Sequence, residues 1–86
     1  MTAETADERR HSALEAIARA SGRPAAELRP EDDLVADLGI ESPQALRMLV
    51  ELEDRFGVEI GDQEAAAMAT VGDVLAYVDR LDRPTP

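Results

Sequence analysis

The stretch Asp37-Leu38-Gly39-Ile40-Glu41-Ser42-Pro43-Gln44-Ala45-Leu46 decides how this chain folds, because it marks the change from a loop to a helix. Ser42 is predicted to be a helix N-cap, since its oxygen can accept a hydrogen bond from the amide of Gln44 or Ala45. Pro43 then takes the first helical position, where its missing N–H costs nothing and its fixed φ suits a helix start. The stretch therefore predicts a helix that presents one serine hydroxyl at its beginning.

The spacing of apolar residues after Ser42 predicts a helix over about residues 42–56, with Gly57 as its C-terminal stop. The apolar stripe consists of Leu46, Leu49, Leu52 and Phe56, and it is widened by Met48 and Val50. Three of these residues are expected in the core: Met48, Leu52 and Phe56. For Leu49 and Val50 the sequence leaves two interpretations, a position in the core or a position on a surface that faces a partner.

A long connection over residues 22–41 precedes this helix, and a loop of this length in a small domain is often functional. Its apolar residues Leu34, Leu38 and Ile40 are expected to tuck under the helix and hold the serine at the surface. Its acids invite comparison with a calcium-binding loop. That interpretation fails, because Leu38 and Gln44 stand where such a loop starting at Asp33 needs glycine and glutamate.

Three further helices are predicted, over about residues 6–20, 63–68 and 71–81. Thr5 and Glu8 fit a capping box at the first of them, and Thr70 and Asp73 fit one at the last. Asp62 is the predicted cap of the short helix. The sequence thus predicts an all-α fold, a small four-helix bundle with three longer helices and one short helix. The chain is expected to be a single domain over 1–86, ordered over about 6–81, with short flexible tails.

The charge of the 86 residues is unevenly distributed along the chain. Residues 1–30 hold five acids and five arginines, whereas residues 31–86 hold fourteen acids and four arginines and account for the whole net charge of −10. Such a field disfavours nucleic acid and anionic lipid and favours basic partner surfaces, although solubility alone also explains it. The N-terminus has no signal-peptide pattern and no segment is long enough to span a membrane, so a cytoplasmic location is expected.

Residues for independent catalysis are scarce in this sequence. The chain has no cysteine, which excludes a disulfide framework and a thiolate metal site. Gly39 lies three residues before Ser42, not two, so the pattern is not a nucleophile elbow. His11 is the only histidine and lies far from Ser42 in the sequence, which predicts a surface residue and gives little support to a Ser–His pair. We therefore expect no enzyme and no metal site.

Four blocks of this sequence together resemble the acyl carrier protein family. They are Pro30-Glu31-Asp32-Asp33-Leu34, Asp37-Leu38-Gly39-Ile40-Glu41-Ser42, Leu49-Val50-Glu51-Leu52-Glu53-Asp54-Arg55-Phe56-Gly57 and Thr70-Val71-Gly72-Asp73-Val74. The resemblance spans about residues 8–81. It implies that Ser42 is joined by a phosphodiester to 4′-phosphopantetheine, which a phosphopantetheinyl transferase takes from coenzyme A. The terminal thiol of that arm then carries acyl groups as thioesters.

The resemblance also implies a docking face for partner enzymes around Ser42 and along the second long helix. Its candidate residues are Glu41, Pro43, Arg47, Leu49, Val50, Glu51, Glu53 and Asp54. The acids among them can equally form a solvated face. Pro43 stands where the family usually has leucine, and Arg47 stands on a face that is often acidic. Arg47 suggests dedicated partners, and Pro43 raises the question of how efficiently the chain is modified.

The function implied is that of a discrete acyl carrier protein in polyketide, fatty-acid-like or other natural-product biosynthesis. Met1 and the short tails favour a stand-alone protein over a domain of a larger synthase. The expected partners are the transferase and acyl-loading, condensing and tailoring enzymes with basic docking surfaces, with no nucleic acid and no membrane, and the chain is expected to be a monomer. A peptidyl or aminoacyl carrier remains an alternative, although Ile40-Glu41 does not match its usual motif, and so does an unmodified helical interaction module.

Overall fold

The computed structural model describes residues 5–81, and these residues form four α-helices and one short 3₁₀ turn. The helices are α1 (Ala6–Ser21), α2 (Ser42–Phe56), α3 (Asp62–Ala66) and α4 (Val71–Arg80), and the 3₁₀ turn is Ala25–Glu27. Residues 5–81 contain no β-strand, although an isolated bridge joins Asp33 and Thr70. The predicted all-α bundle of three longer helices and one short helix is confirmed.

The two predicted capping boxes are present at the starts of α1 and α4. At α1, the Thr5 hydroxyl accepts from the Glu8 amide at 3.1 Å, and the Glu8 carboxylate accepts from the Thr5 amide at 2.8 Å. At α4, Thr70 Oγ1 accepts from the Asp73 amide at 3.1 Å, and Asp73 Oδ2 accepts from the Thr70 amide at the same distance. Each box pairs two amides that the first turn of a helix otherwise leaves without acceptors.

The short helix α3 begins and ends earlier than the sequence suggests. Its N-cap is Gly61 and not Asp62, because the Gly61 carbonyl already accepts from the Ala65 amide at 2.9 Å. Glu64 Oε1 accepts from the Gly61 amide at 3.0 Å and closes the first turn. After Ala67 the backbone hydrogen bond joins residues three apart and no longer four, and the Met68 amide donates to the Ala65 carbonyl at 3.1 Å. The predicted end at Met68 is therefore wrong by two residues.

The core lies where α1 packs against both α2 and α4. Its buried residues are Ala13, Ala16, Ile17, Leu34, Leu38, Ile40, Met48, Leu52, Val71, Val74, Tyr77 and Val78. The fully buried Ala13 and Ala16 let the neighbouring helices approach α1 closely, whereas Leu14 of the same helix is only half-buried. Leu46 belongs to the apolar stripe in the sequence but is 63% exposed, because the core side of α2 centres on Met48 and Leu52.

Backbone hydrogen bonds order the long connection between α1 and α2. The Leu34 amide donates to Ala69 at 2.9 Å, and the Gly72 amide donates to the Pro30 carbonyl at 2.8 Å. A Cβ on Gly72 would lie 3.0 Å from that carbonyl oxygen, so a larger residue would push the two segments apart by a few tenths of an ångström. The connection is thus held against the start of α4 and positions the residues that lead into α2.

Two carboxylates of α4 are expected to make the fold sensitive to acid. Hydrogen bonds from the Ala69 and Thr70 amides lower the pKa of Asp73, and a hydrogen bond from Arg10 lowers the pKa of Asp79. The pKa of an aspartate in the unfolded chain is about 4. Because the pKa values of Asp73 and Asp79 are lower than this in the folded chain, both carboxylates stabilise the fold at pH values above about 4, and that contribution is lost as the pH falls further.

We expect Asp73→Asn to lower the midpoint of thermal unfolding at pH 7. We also expect that midpoint to fall less between pH 7 and pH 3 in Asp73→Asn than in the unsubstituted chain. The physical reason is that asparagine keeps the shape of the cap without the charge that titrates. Thermal unfolding followed by circular dichroism across that range measures both effects. Asp54→Asn is the control, because the Asp54 side chain makes no hydrogen bond or ion pair within residues 5–81. An equally steep decline in Asp73→Asn and in the unsubstituted chain would contradict the prediction.

Candidate functional site

Ser42 is the first residue of α2 and is exposed at the surface. The N-cap is Glu41, whose carbonyl accepts the first intrahelical hydrogen bond from the Ala45 amide at 2.8 Å. The prediction that Ser42 itself caps the helix is therefore wrong, and Pro43 occupies the second helical position and not the first. The Ser42 hydroxyl makes no hydrogen bond within residues 5–81, so it is available for chemistry.

The loop before Ser42 holds this helix start in place, as the sequence predicts. Leu34, Leu38 and Ile40 are all buried in the core beneath α2. The Ile40 amide donates to the Leu34 carbonyl at 2.9 Å, which closes the loop on itself. Gly39 adopts a φ of +68°, a left-handed conformation that L-residues with a Cβ rarely adopt. The loop therefore turns sharply just before the serine and leaves its hydroxyl at the surface.

The acids of this loop form hydrogen bonds to its backbone. Asp33 Oδ1 accepts from the amides of Val35 and Ala36 at 2.9 and 2.8 Å, and Asp37 Oδ2 accepts from the Asp33 amide at 2.7 Å. Across residues 5–81, no group of three or more histidine, cysteine or acidic side chains is arranged to hold a metal ion. Asp33 and Asp37 thus act as local turn-forming residues.

Ser42 borders an open surface groove of about 410 Å³. The groove is lined by Val35, Ile40, Glu41, Ser42, Pro43 and Ala45. Val35 is 66% exposed, although valine is a residue that is normally buried. Its exposure gives the groove an apolar side directly beside the serine, and Glu41 gives it an acidic edge.

A smaller apolar cavity of about 80 Å³ lies deeper, between the loop, α2 and α3. Its lining residues are Leu34, Val35, Ile40, Ala45, Met48, Leu49, Ala65 and Met68. Val35, Ile40 and Ala45 line both spaces, so the cavity and the groove beside Ser42 are adjacent. A flexible chain attached at Ser42 would therefore meet an apolar entrance to the bundle.

The candidate docking residues on α2 fall into two groups. Glu41, Pro43, Arg47, Val50 and Asp54 are exposed to solvent. The three others make contacts within the chain, and they are Leu49, Glu51 and Glu53.

Each residue of the second group contacts a different part of the bundle. Leu49 packs against the core. Glu51 pairs with Arg55 at 2.8 Å and with Arg19 at 3.6 Å, and Glu53 accepts from the Ile60 amide at 2.8 Å. These three residues therefore help to hold α2 in the bundle.

Sequence reasoning missed three residues that shape the site. Val35, Ala65 and Met68 line the inner cavity, and Val35 also lines the outer groove. The only signal in the sequence was a single valine within an acidic loop. Ala65 belongs to the short α3 and Met68 follows it, and the place of this segment beside α2 depends on tertiary packing.

His11 lies away from this site, on α1. Its Nε2 lies 3.3 Å from Glu15 Oε2, one turn along the same helix, and the side chain is largely exposed. Among residues 5–81, none of the helices combines the length and the apolar character needed to cross a membrane.

A family profile described as "Phosphopantetheine attachment site" matches residues 12–78 of this chain. The acyl carrier protein of an Exiguobacterium species is 40% identical over 65 residues, which are 76% of this chain and 82% of that protein. This chain belongs to the acyl carrier protein family. The family consists of carrier proteins rather than enzymes, and its phosphopantetheine-binding domain holds 4′-phosphopantetheine covalently.

Other acyl carrier proteins resemble this carrier in sequence and in structure. The meromycolate extension acyl carrier protein of Mycobacterium tuberculosis is 39% identical over 72 residues, which are 84% of this carrier. The chain spans only 63% of the length of that relative. The solved structure of the acyl carrier protein from Enterococcus faecalis has a TM-score of 0.75 and 27% identity, and the match covers 91% of this carrier and 99% of that chain.

The residues at the start of α2 fit a covalently attached phosphate. No side chain caps this helix end, and the amides of a first helical turn have no intrahelical acceptors. Those free N–H groups and the helix dipole favour an anion at this position, although Pro43 contributes no N–H and Glu41 opposes the charge. The exposed Ser42 hydroxyl and the open groove beside it leave room for the arm.

Proposed function

We propose that this carrier holds acyl intermediates as thioesters on a 4′-phosphopantetheine arm attached to Ser42 Oγ. The proposal rests on one observation above all: an exposed serine hydroxyl, without a hydrogen bond to any described residue, at the uncapped start of a helix next to an apolar groove. The arm supplies a thiol, which this cysteine-free chain lacks. The pathway proposed is polyketide, fatty-acid-like or other natural-product biosynthesis.

The role of the carrier's own residues in the modification is limited to presenting one oxygen. Ser42 Oγ forms the bond to the phosphorus of coenzyme A that bears the pantetheine, and the bond from that phosphorus to the adenosine bisphosphate portion breaks. The serine proton passes to a base of the transferase, because His11 lies beside Glu15 on α1 and is not among the residues that line the groove. Gly39 and the buried loop residues keep the hydroxyl in position.

The apolar cavity beneath the groove supports an acyl cargo over an aminoacyl one. Its lining residues have apolar side chains, so it offers no hydrogen-bonding side chain for a charged amino group. At about 80 Å³ it is small, and a long acyl chain would have to widen the space between α2 and α3. An aminoacyl carrier remains the second candidate.

The proposed partners are a phosphopantetheinyl transferase and acyl-loading, condensing and tailoring enzymes with basic docking surfaces. The net charge of −10 supports such surfaces through electrostatic steering. The proposal includes a monomeric state and a cytoplasmic location, where the chain would meet coenzyme A and these enzymes.

Intact-protein mass spectrometry tests the proposed function. The carrier is incubated with a broad-specificity phosphopantetheinyl transferase and either coenzyme A or an acyl-coenzyme A. We expect a gain of one phosphopantetheinyl group with coenzyme A and of one acyl-phosphopantetheinyl group with acyl-coenzyme A. Hydroxylamine should release the acyl group, because it cleaves thioesters. No mass gain in either case would contradict the proposal and favour an unmodified interaction module.

Pro43 is expected to slow this modification without preventing it. The prolyl ring is exposed beside Ser42, and a leucine there offers more apolar surface to the transferase. We expect Pro43→Leu to raise kcat/KM for the transferase about fivefold, which corresponds to about 1 kcal/mol of added apolar burial. Initial rates of mass conversion measure the effect. A slower Pro43→Leu variant with unchanged helicity would contradict it.

A further inference from the structure

The outward side of α2 forms a ridge of mixed chemistry, here called the α2 ridge. Its residues are Pro43, Leu46, Arg47, Val50 and Asp54, and all five are exposed. Their spacing of three, four, seven and eleven residues from Pro43 places them on one helix face. Leu46 is 63% and Val50 49% exposed, so the ridge has an apolar centre with a cation and a carboxylate beside it.

Arg47 is the one cation of the α2 ridge, and no residue that the structure describes neutralises its charge. Within residues 5–81 its side chain makes no hydrogen bond or ion pair. The carboxylate one turn ahead, Glu51, pairs with Arg55 and with Arg19 of α1. Arg47 therefore presents a free guanidinium within the acidic part of the chain.

The α2 ridge lies on the helix that begins with Ser42, so an enzyme that acts at Ser42 comes close to the first turns of α2. A uniformly basic surface would be attracted by the net charge of −10, but it would place a cation against Arg47. Like charges brought together in an interface disfavour that partner, whereas opposite charges set the register. Arg47 is thus in a position to select among partners.

We propose that the α2 ridge binds an enzyme surface of mixed charge, in which a carboxylate faces Arg47, an apolar patch faces Leu46 and Val50, and a cation faces Asp54. Arg47 and Asp54 are seven residues apart on α2, so the two opposing partner groups are separated by roughly 10 Å along the helix. This proposal rests on the proposed function and narrows it, because the basic docking surfaces named there would carry a carboxylate at the position that faces Arg47.

The first test measures rejection of a basic partner. The full carrier is converted by a broad-specificity transferase with a basic docking face, and kcat/KM is compared for the unsubstituted chain, Arg47→Ala and Arg47→Glu. We expect Arg47→Glu to raise kcat/KM about two- to fivefold at low salt, with Arg47→Ala in between, and the gain to disappear at high salt. Arg29→Glu is the matched control, because it changes the net charge equally from an exposed loop position outside the ridge.

The second test measures the preferred pairing. Each basic residue of the transferase docking face is changed to glutamate and assayed with the unsubstituted carrier and with Arg47→Glu. We expect one position at which the change raises kcat/KM for the unsubstituted carrier and lowers it for Arg47→Glu. Circular dichroism confirms that the carrier variants are folded.

The outcomes separate this inference from the function on which it rests. Three outcomes would overturn the inference and leave the proposed function intact. The unsubstituted chain and Arg47→Glu could be modified at equal rates, Arg29→Glu could show the same gain as Arg47→Glu, or no position on the transferase could show the coupled effect. Absence of modification in every variant would overturn the proposed function and the inference with it.

Discussion

Ser42→Ala is expected to abolish phosphopantetheinylation completely. The change removes the hydroxyl that the start of α2 presents beside the groove, and alanine offers no group for a phosphodiester. Intact mass after incubation with coenzyme A and transferase should remain that of the unmodified chain. The loss should reach the detection limit, because among residues 5–81 no other side-chain hydroxyl lines this groove.

The sequence supplies internal controls for this result. Ser12 and Ser21 are its only other serines, and both lie on α1. Ser12→Ala and Ser21→Ala should therefore be modified like the unsubstituted chain. The Ser42 hydroxyl makes no hydrogen bond within the described part of the chain, so Ser42→Ala should change the free energy of unfolding by less than about 0.5 kcal/mol. Modification that persists in Ser42→Ala would place the attachment site elsewhere.

Leu52→Ala is expected to remove a large part of the stability of this carrier. Leu52 is 1% exposed and lies on the core side of α2, so its replacement removes buried apolar surface and leaves a cavity. Leu→Ala changes of this kind cost about 2–5 kcal/mol, whereas small domains have only about 5–15 kcal/mol of stability in total. Urea unfolding followed by circular dichroism measures the loss as a lower transition midpoint.

Leu46→Ala is a closely matched control, because it makes the same chemical change on the same helix. Leu46 is 63% exposed, and its truncation should change the free energy of unfolding by less than about 0.5 kcal/mol. The difference between the two variants therefore measures burial alone. Similar losses in both variants would contradict the position of the core side of α2.

Much of the site follows from local sequence alone. The change from an acidic, glycine-containing loop to a periodic apolar stripe predicted where α2 begins and which serine stands there. The capping boxes of α1 and α4 were also predicted, because each depends on side chains three residues apart. The family blocks added the cofactor, which no feature of composition or spacing reveals. These signals are local, so they do not depend on the rest of the fold.

The errors arose where a choice depends on the first hydrogen bond of a helix. Ser42 and Asp62 were both predicted as N-caps, yet Glu41 and Gly61 hold those positions. In each case the preceding carbonyl accepts the first intrahelical bond. Side-chain preference favours serine and aspartate at an N-cap, but the path of the preceding loop decides which residue enters the helix first.

By itself, the sequence determined the four helices, the exposed serine at the start of α2 and the acidic character of the chain, because periodicity, capping and charge are properties of neighbouring residues. Only the tertiary structure decided how deeply each residue of the apolar stripe is buried, leaving Leu46 and Val50 exposed beside Arg47. It also brought Val35 and Met68, 33 positions apart in the sequence, to one cavity next to Ser42. The reason is physical, since burial and cavities depend on how distant segments pack together, which local patterns do not encode.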